Sequence, residues 1–585
     1  MTYNPTGFAL EIFKKRYAIH DTETWQEACD RVALHVAAAE DGNRIANTRE
    51  AFKQMLLSND FCPAGRIWAA AGRPKGQYSN CFVIPTHDSR EGWGKATSDM
   101  IVVCGTGGGV GLNGSPIRPR GLPIHGTGGI ATGAVSMFTV INAAGEVIKA
   151  GGGRRAALMF CLSLTHGDVQ EFLNSKLDLN QLNNANISIV FDFNPEDFFA
   201  KVKANEVLEL KHNGRVINSI LAAHLWDEIV FNALKNGEPG LLNSFYANKM
   251  SNTHYFAPLI STNPCAEQWL PAYGVCCLGA LVLPRFLTKV ENNGLDLDWE
   301  KLRTTIELAV RFLDNVLTVN NYPLTEIKEV SHGERRIGLG VMGLSTMLLK
   351  MGLRYNTPSA LEYVNKVMGF IKNVTYEASI DLAKEKGPFP KFEAEAFLRS
   401  GFVKTLKPSI REKISRHGMR NCCLLTIAPT GTTAIVSDVD SGIEPAFGPG
   451  WIRKFRDVDQ SLKTEIVIHP IFKAMYEAGA NVDHFQSARD LNMRDHFEMQ
   501  RICQKHVDAA VSKTLNIPLG TSAQELSDLY MEFLPELKGV TVYPEGSREN
   551  QPITPLSIKE AIEHINSSGS GPSSLDSCKD GKCDL

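Results

Sequence analysis

The chain of 585 residues has no C-x-x-C pair, no run of eighteen apolar residues, no excess of basic charge and no histidine beside its most distinctive cysteine. The first absence argues against a thioredoxin-like redox motif and against a structural zinc site, since the clustered cysteines, Cys276-Cys277 and Cys422-Cys423, are simply adjacent. Thirteen cysteines spread unevenly over so long a chain do not form a secreted disulfide framework, so most are read as free thiols in a reducing compartment. Cys29, Cys104, Cys161 and Cys503 are expected to be buried packing residues. A formal net charge of −3 leaves no electrostatic footprint for a nucleic-acid polymer, so any phosphate is bound locally. No segment is apolar enough to span a membrane, and the start, Met1-Thr2-Tyr3-Asn4-Pro5, lacks the shape of a signal peptide. A soluble, cytoplasmic protein with no membrane partner is expected.

What is present is a chain long enough, and at 43% hydrophobic apolar enough, for a large core. Residues 1–75 are rich in helix formers and charge, with amphipathic spacing over 25–39, and predict a helical N-terminal region. From residue 79 to about 450 strand-like and helix-like pieces alternate. Residues 186–193 alternate as a strand does, while Ile306, Val310, Leu313 and Leu317 fall on one face of a helix. Residues 422–428 form a short apolar run that predicts a buried strand leading into a loop. Such alternation argues for an α/β core with parallel strands, placed here at 76–555. Residues 556–585 end differently, in a Ser- and Gly-rich linker followed by Cys578 and Cys583. A linker of about ten such residues wanders roughly 15–20 Å, far enough for a tethered thiol pair to carry electrons to a buried site.

The most informative segment is Asn263-Pro264-Cys265-Ala266-Glu267, with Cys276 eleven residues further on. A nucleophilic cysteine needs a base or a lowered pKa, and histidine is the usual partner. Here the flanking groups are a carboxylate and an amide, which suit removing a proton from a substrate hydroxyl and holding that hydroxyl in place. The cysteine is therefore read as a redox or radical centre. Cys104-Gly105-Thr106-Gly107-Gly108-Gly109-Val110-Gly111 lets a backbone come close to a ligand, but it lacks a P-loop lysine and follows no clear Rossmann strand. Pro429, Thr430, Gly431, Thr432 and Thr433 follow the predicted strand and can open a helix whose free amides hold a phosphate.

Taken together and in order, Ser79-Asn80-Cys81, the glycine run with Arg118-Pro119-Arg120-Gly121, residues 151–155, the Cys265 loop with Tyr273-Gly274-Val275-Cys276-Cys277, Arg335-Arg336-Ile337-Gly338-Leu339-Gly340 and residues 429–433 resemble the ribonucleotide reductases. The resemblance covers roughly residues 60–555. It implies that family's ten-stranded α/β barrel, with the Cys265 loop at its centre, a helical N-terminal region and a flexible C-terminal tail. Residues 541–548 resemble the core of the adenosylcobalamin-dependent class. The chain has no adjacent tyrosines, whereas members that take their radical from a second subunit carry a Tyr-Tyr pair, and it lacks the Arg-x-x-Gly-Tyr site of the glycyl-radical class. The implied activity is adenosylcobalamin-dependent reduction of ribonucleoside diphosphates to deoxyribonucleotides for DNA synthesis.

By the same resemblance, Cys265 is the thiyl that takes the ribose 3′ hydrogen after homolysis of the cofactor's cobalt–carbon bond. Glu267 takes the 3′-hydroxyl proton and Asn263 holds the substrate. Cys81 and Cys276 reduce the 2′ carbon, and Cys578 and Cys583 reset the resulting disulfide before thioredoxin or glutaredoxin reduces them in turn. Cys277 stands where an Asn is common, which leaves open whether Cys276 or Cys277 pairs with Cys81; the eleven-residue spacing favours Cys276. Substrate is expected on Ser79, Asn80, Gly107, Gly108, Gly109 and residues 429–433. A nucleoside triphosphate effector is expected near Asp88, Ser89, Arg118, Arg154 and Arg155, and implies a homodimer. The N-terminal region is too short for an additional ATP-cone, so no dATP switch is expected. Three rival readings remain: a reductase needing a separate metal subunit, a plain thiol-disulfide oxidoreductase, and a silent nucleotide-binding regulator. The last should have lost at least one of Cys81, Cys265, Cys276 or Glu267, and all four are present.

Overall fold

The computed structural model describes residues 2–150, 154–177, 181–290, 294–456, 462–482, 485–545 and 553–568. Its centre is a sheet of ten strands. In chain order these are β1 (Phe61–Pro63), β2 (Cys81–Val83), β3 (Gly109–Asn113), β4 (Leu158–Ser163), β5 (Ala185–Phe191), β6 (Gly240–Asn243), β7 (Val275–Val282), β8 (Ile337–Met342), β9 (Thr514–Ile517) and β10 (Gly539–Pro544). Strands β2 to β6 run parallel to one another, as do β7 with β8 and β9 with β10. The two halves meet antiparallel at β2/β7 and at β6/β10. Parallel strands are thus the rule within each half, as the alternating pattern predicts, with β1 antiparallel to β7 as the exception, and the antiparallel pairings are what sequence alone does not show.

Residues 422–428 close the sheet, but not as a regular strand. Leu425 bridges to Leu339 of β8 and Ile427 bridges to Val511, just before β9, so this segment links the two open edges. The ladder is interrupted because the amides of Leu424 and Leu425 donate to the buried carboxylate of Asp508 instead of to a neighbouring strand, at 3.0 and 2.8 Å. That carboxylate also accepts from Tyr376 Oη at 2.7 Å and from Cys423 Sγ at 3.2 Å. A buried charge so fully hydrogen-bonded holds the segment in place without strand pairing.

The expected helices are present. The N-terminal region folds as Gly7–Arg16, Trp25–Ala37, Arg44–Leu57 and Gly65–Ala70, with β1 inserted before the last. Thr24 caps the second of these with a full capping box through Glu27. Trp25–Ala37 ends two residues short of the predicted amphipathic run and buries Trp25, Ala28, Cys29, Val32 and Val36. Trp299–Val319 buries Ile306, Val310, Leu313 and Leu317 against β7 and β8, each side chain contributing about 1.5–3 kcal/mol by removal from water. Cys29, Cys104, Cys161 and Cys503 are buried free thiols, as expected. No helix among the described residues is long and apolar enough to cross a membrane.

Candidate active site

Between β6 and β7 the chain makes a hairpin that projects into the barrel. Ser261 pairs with Leu270 and Thr262 with Trp269, leaving residues 263–268 as the loop. Asn263 holds this loop shut: its amide donates to the Gln268 carbonyl at 3.1 Å, and its Oδ1 accepts from the Gln268 amide at 3.0 Å. Ala266 sits in the left-handed region at φ 62°, a conformation that costs a residue with a Cβ about 1–2 kcal/mol and that these bonds maintain. The barrel grips the hairpin from several sides. The Glu267 carbonyl accepts from Ala510 N at 2.9 Å and from Thr426 Oγ1 at 2.8 Å. The Pro264 carbonyl accepts from Asn186 Nδ2 at 3.1 Å, and the Trp269 indole donates to the Lys538 carbonyl at 3.0 Å.

The glycine run explains how a hairpin fits inside a sheet. A methyl group on Gly111 would overlap the Thr262 carbonyl, with its carbon at 2.8 Å, and one on Gly109 would press on Pro264 Cγ at 3.0 Å. These glycines admit the protein's own finger loop as well as any ligand. Gly108 faces the core instead, against Phe82 and Val103.

Around the tip of the hairpin lies a cavity of about 430 Å³. Asn80, Cys81, Gly107, Gly109, Asn263, Cys265, Glu267, Pro429, Thr430, Gly431, Thr432 and Thr433 all line it, so residues spread over more than 350 positions converge on one space. Ser79 is fully buried beside it, and its hydroxyl accepts from Asn320 Nδ2 at 3.1 Å. Among the described residues Cys265 is the one cysteine open to solvent, and it opens into this cavity.

Three polar groups form a chain at the cavity floor. Asn263 Nδ2 donates to Cys81 Sγ at 3.2 Å, and the Cys81 thiol donates to Glu267 Oε1 at 3.3 Å. Glu267 Oε2 is buried and finds no hydrogen-bond partner among the described residues. Burial raises the Glu267 carboxyl above its ordinary 4.5, against the opposing pull of the bonds from Asn263 and Cys81. Burial, reinforced by the Glu267 charge, likewise raises the thiol of Cys81, and the surrounding protein, which leaves Cys265 open only to the cavity, raises that thiol too, again helped by the Glu267 charge. At neutral pH these cysteines keep their S–H bonds. They are therefore poor thiolate nucleophiles.

The β2/β7 seam sets Cys276 and Cys277 apart. Cys276 is the direct antiparallel partner of Cys81, whereas Cys277 takes the opposite face and packs in the main core with residues of β8. Antiparallel partners have Cα atoms about 4.5–5.5 Å apart, inside the span of about 4.4–6.8 Å that a disulfide bridges. Both thiols are free in this structure.

Residues 429–433 form a loop that opens a helix, as the pattern predicts. Gly431, at φ 48°, precedes the short helix Thr432–Val436, and the Gly431 amide and Thr430 hydroxyl are both tied to Ser441. The expected effector residues partly cluster. Arg118 Nε donates to Asp88 Oδ2 at 2.7 Å, and Ser89 caps the helix Arg90–Gly105 through the Gly92 amide at 2.9 Å. Arg154 and Arg155 lie in a short strand paired with Lys149–Ala150. Residues 151–153 between them, residues 546–548 and the tail cysteines Cys578 and Cys583 lie outside the described residues. Three further residues join the site without any local sequence signal. Arg66 and Tyr17 line the cavity from the helical region, and Asn186 reaches from β5 to the finger loop.

Comparison with known proteins gives the same frame. Residues 79–543 match the family model described as ribonucleotide reductase, barrel domain, and residues 3–76 match the one described as ribonucleotide reductase, all-alpha domain. A vitamin B12-dependent ribonucleoside-diphosphate reductase of Thermoplasma acidophilum is 32% identical over 570 residues, which cover 91% of this chain and 71% of that relative. One of the same description from Mycobacterium tuberculosis is 31% identical over 603 residues, covering 98% and 84%. A ribonucleoside-diphosphate reductase subunit alpha of Chlamydia muridarum is 28% identical over 501 residues, covering 74% and 46%. With both family models spanning nearly all of the described chain, and Cys81 and Cys265 lining one cavity, the chain belongs to the ribonucleotide reductase family as a catalytic subunit.

Proposed function

We propose that this protein reduces ribonucleoside diphosphates to 2′-deoxyribonucleoside diphosphates in an adenosylcobalamin-dependent reaction, with Cys265 as the radical cysteine. The observation that carries the reading is the isolation of Cys265. It is the one described cysteine that a radical source can reach from outside, and it shares its cavity with Cys81, Glu267 and Asn263. The description of the Thermoplasma and Mycobacterium relatives as vitamin B12-dependent supports the cofactor. The thiol suits it, because a protonated, accessible S–H gives up a hydrogen atom where a thiolate would not. When bound, the cofactor supplies an organic radical through homolysis of its cobalt–carbon bond.

In this reading the Cys265 thiyl takes the ribose 3′ hydrogen, and Glu267 in its ionised form accepts the 3′-hydroxyl proton while Asn263 holds that hydroxyl. The 2′ hydroxyl leaves as water. Cys81 and Cys276 give up two electrons and two protons, one of which leaves with the 2′ oxygen as water, and end as a disulfide; Cys265 then returns the hydrogen atom to C3′ and Glu267 the proton to the 3′ oxygen, so the thiyl is regenerated and one dithiol is oxidised for each ribose reduced. Cys578 and Cys583 then exchange with that disulfide and are reduced in turn by thioredoxin or glutaredoxin. Substrate phosphates rest on Pro429, Thr430, Gly431, Thr432 and Thr433, with the nucleoside against Asn80 and the Gly107–Gly109 backbone. Asp88, Ser89, Arg118, Arg154 and Arg155 form the effector site of a cytoplasmic homodimer. The helical region 1–75, the barrel 76–555 and the tail 556–585 are its working parts.

The test is deoxynucleotide formation by the purified chain with dithiothreitol, a ribonucleoside diphosphate, an effector, and adenosylcobalamin present or absent, repeated with Cys265→Ala. Turnover that needs both cofactor and Cys265 is expected. No turnover with either di- or triphosphates would overturn the cofactor assignment and favour a separate radical-generating subunit; the Chlamydia relative is described as a subunit alpha.

A further inference from the structure

The cavity holds an asymmetry of charge that the chemistry above does not use. Among its described lining residues Arg66 is the one basic side chain and Glu267 the one acidic side chain. Contacts group them with different partners. Glu267 is bonded to Cys81, next to Asn263 and the reactive thiol. Arg66 opens the helix Gly65–Ala70, where the absent side chain of Gly65 leaves room for the Tyr17 ring, 2.8 Å from where a Cβ would stand. The Tyr17 hydroxyl is hydrogen-bonded to the Thr432 hydroxyl of the 429–433 loop. Tyr17 thus ties the start of the Arg66 helix to that loop.

The guanidinium of half-buried Arg66 is aimed by main-chain oxygens. Its Nη2 donates to the Thr106 carbonyl at 2.5 Å and lies 3.5 Å from the Gln77 carbonyl. Gly107 gives it space, since a Cβ there would stand 2.5 Å from Arg66 Nη1. The 429–433 loop itself offers only neutral donors, hydroxyls and amides, to a multiply charged anion. A diphosphate leaving water for such a place needs a counter-charge, and a guanidinium fork matches phosphate oxygens in both geometry and charge.

We propose that Arg66 is a substrate-binding residue that pairs with the diphosphate of the ribonucleotide and sets the preference of this cavity for phosphorylated over unphosphorylated nucleosides. This rests on the reading that a ribonucleoside diphosphate occupies the cavity. Arg66 has no part in the radical steps, so its contribution is read in affinity and KM.

The test is equilibrium binding of radiolabelled ADP, AMP and adenosine to the full chain, with an excess of a deoxynucleoside triphosphate to occupy the effector site, in wild type, Arg66→Gln and Arg66→Lys. Arg66→Gln should weaken ADP binding roughly 10- to 100-fold while changing adenosine binding less than about 2-fold, and Arg66→Lys, which keeps the charge without the fork, should recover only part of the loss. Equal ADP affinity in wild type and Arg66→Gln would overturn the inference. So would an equal loss for ADP and adenosine, which would mark Arg66 as a support for the Thr106 loop and not a phosphate ligand. A wild-type chain that binds none of the three would instead sink the reading of the cavity as a substrate site. Melting temperatures of the variants separate these outcomes from misfolding.

Discussion

Replacing Gly111 by alanine should disable the reaction without touching a reactive group. The new Cβ would overlap the Thr262 carbonyl oxygen and lie 2.8 Å from its carbon. Carbon atoms in contact prefer about 3.5–4.0 Å, so the finger strand has to retreat from β3 by about 1 Å. That strand leads directly into Asn263 and Cys265, and a misplacement of this size costs about 100-fold in rate. The overpacking itself costs about 1–3 kcal/mol, which a barrel of this size survives. The assay is steady-state turnover beside a melting curve, with Gly105→Ala as the control, because nothing stands within 4 Å of a Cβ at Gly105. A folded Gly111→Ala protein with turnover below a few per cent of wild type is expected, with Gly105→Ala near wild type. Wild-type turnover in Gly111→Ala would refute the claim that β3 sets the position of the finger loop.

A single turnover without reductant, followed by alkylation and peptide mass spectrometry, should trap a Cys81–Cys276 disulfide and leave Cys277 alkylated as a free thiol on denaturation; a Cys81–Cys277 link would contradict the strand register. Cys277→Ser should keep most activity, while Cys276→Ser should lose turnover supported by dithiothreitol and thioredoxin alike. Because burial raises the Glu267 carboxyl above 4.5, its ionised form is lost as pH falls through that raised value. The acid limb of kcat/KM should therefore lie above the ordinary carboxylate range, and Glu267→Gln should remove the limb together with about 100- to 10,000-fold of the rate. An acid limb at or below pH 4.5 would argue against Glu267 as the base. The double substitution Cys578→Ser with Cys583→Ser should abolish turnover driven by thioredoxin and spare turnover driven by dithiothreitol; equal loss with both reductants would remove the tail from the relay.

Much of this was legible in the chain because the signals are local. The Cys265 pentapeptide is itself distinctive, the periodicity of 299–319 reflects which face of one helix meets the core, and of the predicted strand 186–193 the apolar Ile187, Ile189 and Phe191 pack into one core cluster from Ala185–Phe191. What was not legible depends on register between distant segments. Cys276 and Cys277 are equivalent as letters, and only the antiparallel seam with β2 turns one toward Cys81 and the other into the core. Residues 422–428 have the composition of a strand, yet Asp508, more than 80 positions away, takes two of their amides and breaks the ladder. Arg66, Tyr17 and Asn186 sit in stretches with ordinary helix or strand patterning, and nothing near them in sequence announces that they face the same cavity or finger loop. The glycine run was read as room for a ligand. At Gly111 the space is filled by the protein's own finger loop, a distinction that needs the third dimension.

The account stands on Cys265 abstracting a hydrogen atom from the ribose. The most direct measurement is release of tritium to solvent, or its return to product, from a ribonucleoside diphosphate labelled at the 3′ position, in wild type and Cys265→Ala with adenosylcobalamin and reductant. The account predicts a 3′ isotope effect on turnover and a small, turnover-dependent tritium release in wild type, both absent in Cys265→Ala. Deoxynucleotide formation that persists in Cys265→Ala, or that proceeds in wild type with no isotope effect and no release, would contradict it.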